Sequence, residues 1–209
     1  IHSEGSLKIQ YEGGDGGFDS LVFAAPAGNV VQYTAIGPDS GSIHGTGWEI
    51  QYSGLEPITD NSDIADRVFT ATGSDDEIRL KDADQPGWMV IESDNGSFES
   101  IEFPNPTSSL TIDAGDGDDQ IVIESLDPAF VAGESGSSDT ELHLLGGTGL
   151  DTVFVSYPAE LTLTDASLAG GSEFNLLFDD VPDQVVVSGG AIDASGYSGV
   201  AVVIPGVPN

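Results

Sequence analysis

An all-β fold is what this sequence predicts: a parallel β-helix or β-solenoid with long irregular rungs, with a β-sandwich as the alternative. Three observations lead there. Twenty-eight Gly and eleven Pro punctuate the 209 residues so often that no long stretch keeps helical apolar spacing. Short stretches with period-two apolar alternation recur instead. A strand, a Gly/Asp turn and a second strand repeat along the chain, and such self-similarity is how stacked-rung architectures show in a sequence.

The elements follow in order. Leu7-Lys8-Ile9-Gln10-Tyr11, Leu110-Thr111-Ile112 and Leu161-Thr162-Leu163 alternate and read as strands with one covered face. Val185-Val186-Val187 and Val200 to Ile204 are continuous apolar runs, which suits strands covered on both faces or lying at an interface. Only Ser62 to Asp66 and Asp165 to Ala169 suggest a helical turn. The chain is read as one module over 1–209, with a possible subdivision into 1–53 and 54–209.

The repeat unit is clearest where Leu110 to Ile123 aligns without gaps on Leu142 to Val155, 32 residues later. Looser copies run from Leu7 to Phe23 and from Val68 to Leu80, and Asp183 to Val187 echoes Asp119 to Ile123 without the glycines. The turn aspartates Asp19, Asp76, Asp119, Asp151 and Asp183 therefore lie 57, 43, 32 and 32 residues apart. An interval of 32 suits one rung of about three strands.

Charge narrows the function. Thirty-six acidic against four basic residues leave a formal charge of −32, so self-repulsion loosens the fold unless cations offset it. Nucleic acid is excluded as a partner, because phosphate binding needs clustered Lys and Arg and only Lys8, Arg67, Arg79 and Lys81 are present. The apolar content of 38%, in short alternating runs, argues for a folded chain rather than an acidic disordered tail. There is no Cys for disulfides or thiolate metal sites, and no apolar run long enough to insert in a membrane. The start at Ile1-His2-Ser3-Glu4 reads as a processed product or a piece of something longer.

Gly146-Gly147-Thr148-Gly149-Leu150-Asp151-Thr152-Val153-Phe154 resembles the Gly-Gly-x-Gly-x-Asp-x-apolar-x nonapeptide of the repeats-in-toxin family. Ala114 to Val122 differs by Ala for the first Gly, the copy from Gly14 departs at its second position, and the copy at Asp76 is weak. The resemblance implies calcium bound between stacked turns, with Asp119, Asp151 and Asp19 as ligands and Asp116 and Asp118 as helpers. The family's repeats run in tandem every nine residues, whereas these stand alone, so its calcium roll is not implied. The longer unit over roughly 50–190 also looks like segments of very large bacterial surface and adhesin-like proteins.

Calcium takes six to eight oxygens, and a turn of alternating Gly and Asp supplies carboxylates and carbonyls within a few residues. The competing reading is that Asp-Gly simply makes a tight turn, which suits Asp15, Asp75 and the Pro38-Asp39-Ser40-Gly41 stretch. Asp118/Asp119 or Asp179/Asp180 could be proposed as a glycosidase acid and base, but adjacent strand residues point to opposite faces. His2, His44 and His143 are too scattered for a zinc site. Trp48, Trp88, Tyr52 and Tyr197 would stack on sugars if they shared an exposed face, and otherwise belong to the core.

The expectation is thus a non-catalytic extracellular or cell-surface structural and adhesive module, stabilised by calcium. Its partners are cell-surface glycans or copies of itself, with Val200 to Ile204 as the edge for end-to-end fibres. A carbohydrate-binding module and a β-helix polysaccharide hydrolase are the alternatives.

Overall fold

A computed structural model of the chain describes residues 7–14, 16, 18–26, 28–131, 141–149, 151–156, 174–177, 184–188 and 201–203. Strand β1 (Leu7–Glu12) leads through a Gly-rich turn to β2 (Leu21–Phe23). The strands β3 (Gly28–Gly37), β4 (Ser40–Gly45) and β5 (Trp48–Ser53) form an antiparallel meander, and β5 leads to β6 (Ile58–Asp60). Next come β7 (Ile64–Thr70) and β8 (Glu77–Asp82), then β9 (Trp88–Ser93) and β10 (Ile101–Pro104). The unit repeats as β11 (Ser109–Asp113) with β12 (Gln120–Ile123) and, after helix α1 (Pro128–Val131), as β13 (Glu141–Leu145) with β14 (Thr152–Ser156). Finally β15 (Phe174–Leu177) is followed by β16 (Gln184–Ser188) and β17 (Ala201–Val203).

The fold is all-β, and the strands lie in two mixed sheets. One runs β1-β5-β4-β3-β7-β11-β13-β15 and the other β2-β6-β10-β9-β8-β12-β14-β16-β17. Pairing is parallel except around β4 and β9, where the chain doubles back. Counted from the β1/β2 end the sheets keep step. Each strand of the first sheet that enters a turn leaves it as the strand of equal rank in the second: β1 to β2, β5 to β6, β7 to β8, β11 to β12, β13 to β14. Among the described strands the second sheet has one more than the first, β17.

Period-two alternation explains which residues turn inward. In β11, Leu110 and Ile112 are buried and pair in register with Leu142 and Leu144 of β13; in β12, Ile121 and Ile123 sit beside Ile78 and Leu80 of β8. One buried cluster joins both sheets. Each fully buried aliphatic side chain contributes about 1.5–3 kcal/mol.

Some local expectations change. Ser62 to Asp66 is no helical turn, since Ile64 opens β7, which pairs on both flanks with β3 and β11 and so overrides any helical preference. The one short helix described was not foreseen; Asp127 caps it, its Oδ1 accepting from the Ala129 amide at 2.8 Å. Of the Val200 to Ile204 run, Ala201–Val203 forms β17, which among the described strands pairs with β16 alone. Asp165 to Ala169 and Leu161 to Leu163 lie outside the described residues.

Candidate functional site

The turns between the two sheets stack directly on one another. The turn after β7 (Ala71–Asp76), that after β11 (Ala114–Asp119) and that after β13 (Gly146–Asp151) occupy successive levels of one corner. Their amides and carbonyls bond from level to level: Thr148 N donates to Gly115 O and Gly117 N to Thr148 O, both at 3.0 Å. Glycine is required here for two reasons. Gly147 and Gly149 have φ of 86° and 137°, and a Cβ on either would fall on the carbonyl oxygen of Gly115 or Gly117 beneath it. At the next level down, a Cβ on Gly115 would meet Thr72 O at 2.7 Å.

This packing sorts the aspartates into two kinds. Asp76, Asp119 and Asp151 are 1%, 2% and 1% exposed and form an inner column. Asp119 Oδ1 accepts from the Asp76 amide at 2.7 Å, and Asp151 Oδ1 accepts from the Asp119 amide at 3.0 Å, so each carboxylate ties its turn to the preceding one. At the first level Asp76 Oδ2 accepts from Thr72 N and Thr72 Oγ1, both at 2.9 Å. The other oxygens, Asp76 Oδ1 and Asp119 Oδ2, are buried without a hydrogen-bond partner. Burial pushes the Asp119 carboxyl up to about 7; the Asp76 amide opposes this, while Asp151, Asp76 and Asp75 add to it.

The other expected ligands are placed differently. Asp116 and Asp118 are exposed on the outer rim, where Asp116 accepts from Thr148 Oγ1 at 2.7 Å and the Asp118 amide donates to Asp75 Oδ1 at 3.0 Å. Asp118 and Asp119 thus face opposite ways, as alternation requires. Asp19 belongs to the separate turn after β1, which stacks on the chain at 54–57; its carbonyl accepts from Glu56 N at 2.8 Å. Asp183 lies outside the described residues. Asp76 stands on equal footing with Asp119 despite its weak motif, because Ser74 takes the place of Gly117 without disturbing the stack. Among the described residues, no three His, Asp or Glu side chains already converge as a metal-ligand group.

A second buried charged group lies deeper, and sequence reasoning missed it. Arg67 is 0% exposed and occupies an inward column between Val31 and Leu110. Its Nη1 donates to Asp60 and, at 2.6 Å, to Tyr33 Oη, while Nη2 reaches Ser62 O at 2.5 Å and Nε reaches Pro104 O at 3.2 Å. The guanidinium lies over the Phe103 ring, 5.2 Å from its centroid. Asp60 also accepts from Tyr33 Oη, Ser62 Oγ and, at 2.8 Å, Ser62 N. Burial raises the Tyr33 hydroxyl well above its ordinary pKa, so it stays a neutral donor. The signal available was one Arg within an otherwise apolar-alternating strand.

Among the described residues the aromatic platform does not assemble. Tyr52 is buried in the core and Trp48 packs on Phe23 with centroids 6.1 Å apart, both on β5, whereas Trp88 is on β9 in the other sheet. Tyr197 lies outside the described residues, as do Asp179 and Asp180. No helix among the described residues is long and apolar enough to cross a membrane. No protein-family model, curated protein or solved structure matches this chain.

Proposed function

We propose that this chain is a non-catalytic structural or adhesive module of an extracellular or cell-surface protein, a β-solenoid with antiparallel interruptions whose stacked turns bind calcium. The observation that carries the reading is the inner column of three buried aspartates, two of which leave a buried oxygen without a donor. Burying an unpartnered carboxylate oxygen is costly, and among the described residues no Lys or Arg side chain is paired with Asp76 or Asp119. A hard divalent cation complements such a corner, taking carboxylate oxygens of Asp76, Asp119 and Asp151, with turn carbonyls completing its shell. The exposed Asp116 and Asp118 would draw the ion in, and Asp19 would serve the separate first turn. Calcium is abundant outside cells, where modules with weak sites work.

Folding is then coupled to the metal, and the gain grows with free calcium above its dissociation constant. Thermal melting in millimolar calcium against excess chelator tests this. The expected result is a clear rise in Tm with calcium and little with magnesium; identical curves overturn the reading.

A further inference from the structure

Four of the five large hydrophobic side chains that stand exposed among the described residues lie on one strand–turn–strand unit. They are Leu7 (60%), Ile9 (44%), Phe18 and Val22, and the fifth is Ile36. That unit, β1 with β2, is the end of the stack. Each of its strands is paired on one side only, β1 with β5 and β2 with β6. Leu7, Ile9 and Tyr11 continue the rows begun by Trp48, Ile50 and Tyr52, and no described strand lies beyond β1 to cover them. An open edge of this kind is a template for another strand.

We propose that this end is a dimer interface, closed by a second copy through a two-fold axis normal to the sheets, with β1 pairing antiparallel to the partner's β1. Two features select this occupant. The first is level: β1 and β2 end their sheets at the same rank, so a two-fold copy extends both sheets together.

The second feature is charge. Antiparallel self-pairing must keep inward residues opposite inward residues. Centring it on Gln10 does so, and it sets Ile9 opposite the partner's Tyr11 in the core and Lys8 opposite the partner's Glu12 on the outer face, twice by symmetry. In a chain of charge −32, β1 holds one of only four basic residues, and Lys8 is 73% exposed there, 3.0 Å from Glu49 of its own sheet. Opposite charges directly across a strand pair are favourable and like charges unfavourable. The interface is isologous, so it closes at two copies and does not propagate.

The chain lacks Cys, which makes single-Cys variants of the full chain clean probes. At the two-fold the Gln10 Cα atoms would lie about 4.5–5.5 Å apart, within disulfide range. Gln10→Cys is expected to form a covalent dimer under mild oxidation at least tenfold faster than Glu12→Cys. Analytical ultracentrifugation of the parent chain should show a monomer–dimer equilibrium. Glu12→Lys should abolish the dimer, since Glu12 pairs within its own sheet only with Ser53 and its loss spares the fold; Lys8→Glu/Glu12→Lys should restore it. A strictly monomeric chain, equal crosslinking rates, failure of the double swap to rescue, or open-ended growth each overturn the proposal. Growth without end would point to head-to-tail stacking. Melting curves of each variant, recorded with and without calcium, separate loss of fold and loss of calcium binding from loss of pairing.

Discussion

Two buried carboxylate groups in this protein are handled in opposite ways. Asp60 is surrounded by donors from the chain itself: Arg67, Tyr33 and two groups of Ser62. Asp119 is buried almost as deeply, yet it keeps one oxygen without a donor and has other carboxylates as its neighbours. The first arrangement is complete without help from solution. The second calls for a proton or a cation, so the core near Asp60 should be indifferent to conditions that govern the corner at Asp119.

The largest effect should come from breaking the complete network. Arg67→Met leaves Asp60 as an uncompensated buried charge and should destabilise the fold by about 3–5 kcal/mol in chemical denaturation, equally with and without calcium. A loss that calcium repairs would erase the contrast. Next, Gly149→Ala drives a Cβ onto Gly117 O and should cost about 1–3 kcal/mol while also weakening calcium binding, because it lifts one turn off another.

Asp119→Ala or Asp151→Ala should then weaken calcium binding in titration calorimetry far more than Asp39→Ala, which removes only a turn residue. Equal effects would dissociate the column from the metal. The metal-free chain also has a pH signature. With its carboxyl at about 7 when folded and near 4 when unfolded, Asp119 binds its proton more tightly in the native state. That contribution is fully present below about pH 4 and is lost as pH rises toward 7. Tm in chelator should accordingly be higher at pH 5 than at pH 8, and Asp119→Asn should flatten the difference. The smallest effect belongs to the surface: Lys81→Ala removes a half-exposed ion pair with Glu92 and should change stability by under about 1 kcal/mol.

Legibility in the sequence follows the same division. The stacked corner could be read because its demands are local. Gly, Gly and Asp at fixed offsets report a backbone that must pass close to its neighbour, and Asp119 and Asp151 stand at those offsets. Asp76 was undervalued because its turn uses Thr72 and Ser74 where the others use glycine. The Arg67 network could not be read, since Tyr33, Asp60 and Pro104 come to Arg67 from three different strands. Ser62 misled for a related reason: its hydroxyl resembled a helix start but serves Asp60 and the Ala25 amide. The doubling back at β4 and β9 also left no trace, because antiparallel and parallel strands alternate alike.

The intervals of 43 and 32 residues between Asp76, Asp119 and Asp151 nonetheless bring these residues to successive levels of one corner. The extra length in the longer interval is spent on β9, β10 and their connections, and the β9–β10 connection returns to the corner, where Asn95 Nδ2 donates to Asp75 O at 2.9 Å. Register along the stack is therefore kept by the aspartate spine, while the length of chain between successive levels varies. Foreign peptides grafted into the exposed 84–86 stretch between β8 and β9, at the end of β8 far from the turns, would be carried at a fixed height on the stack, giving a display scaffold whose cargo length is decoupled from its frame.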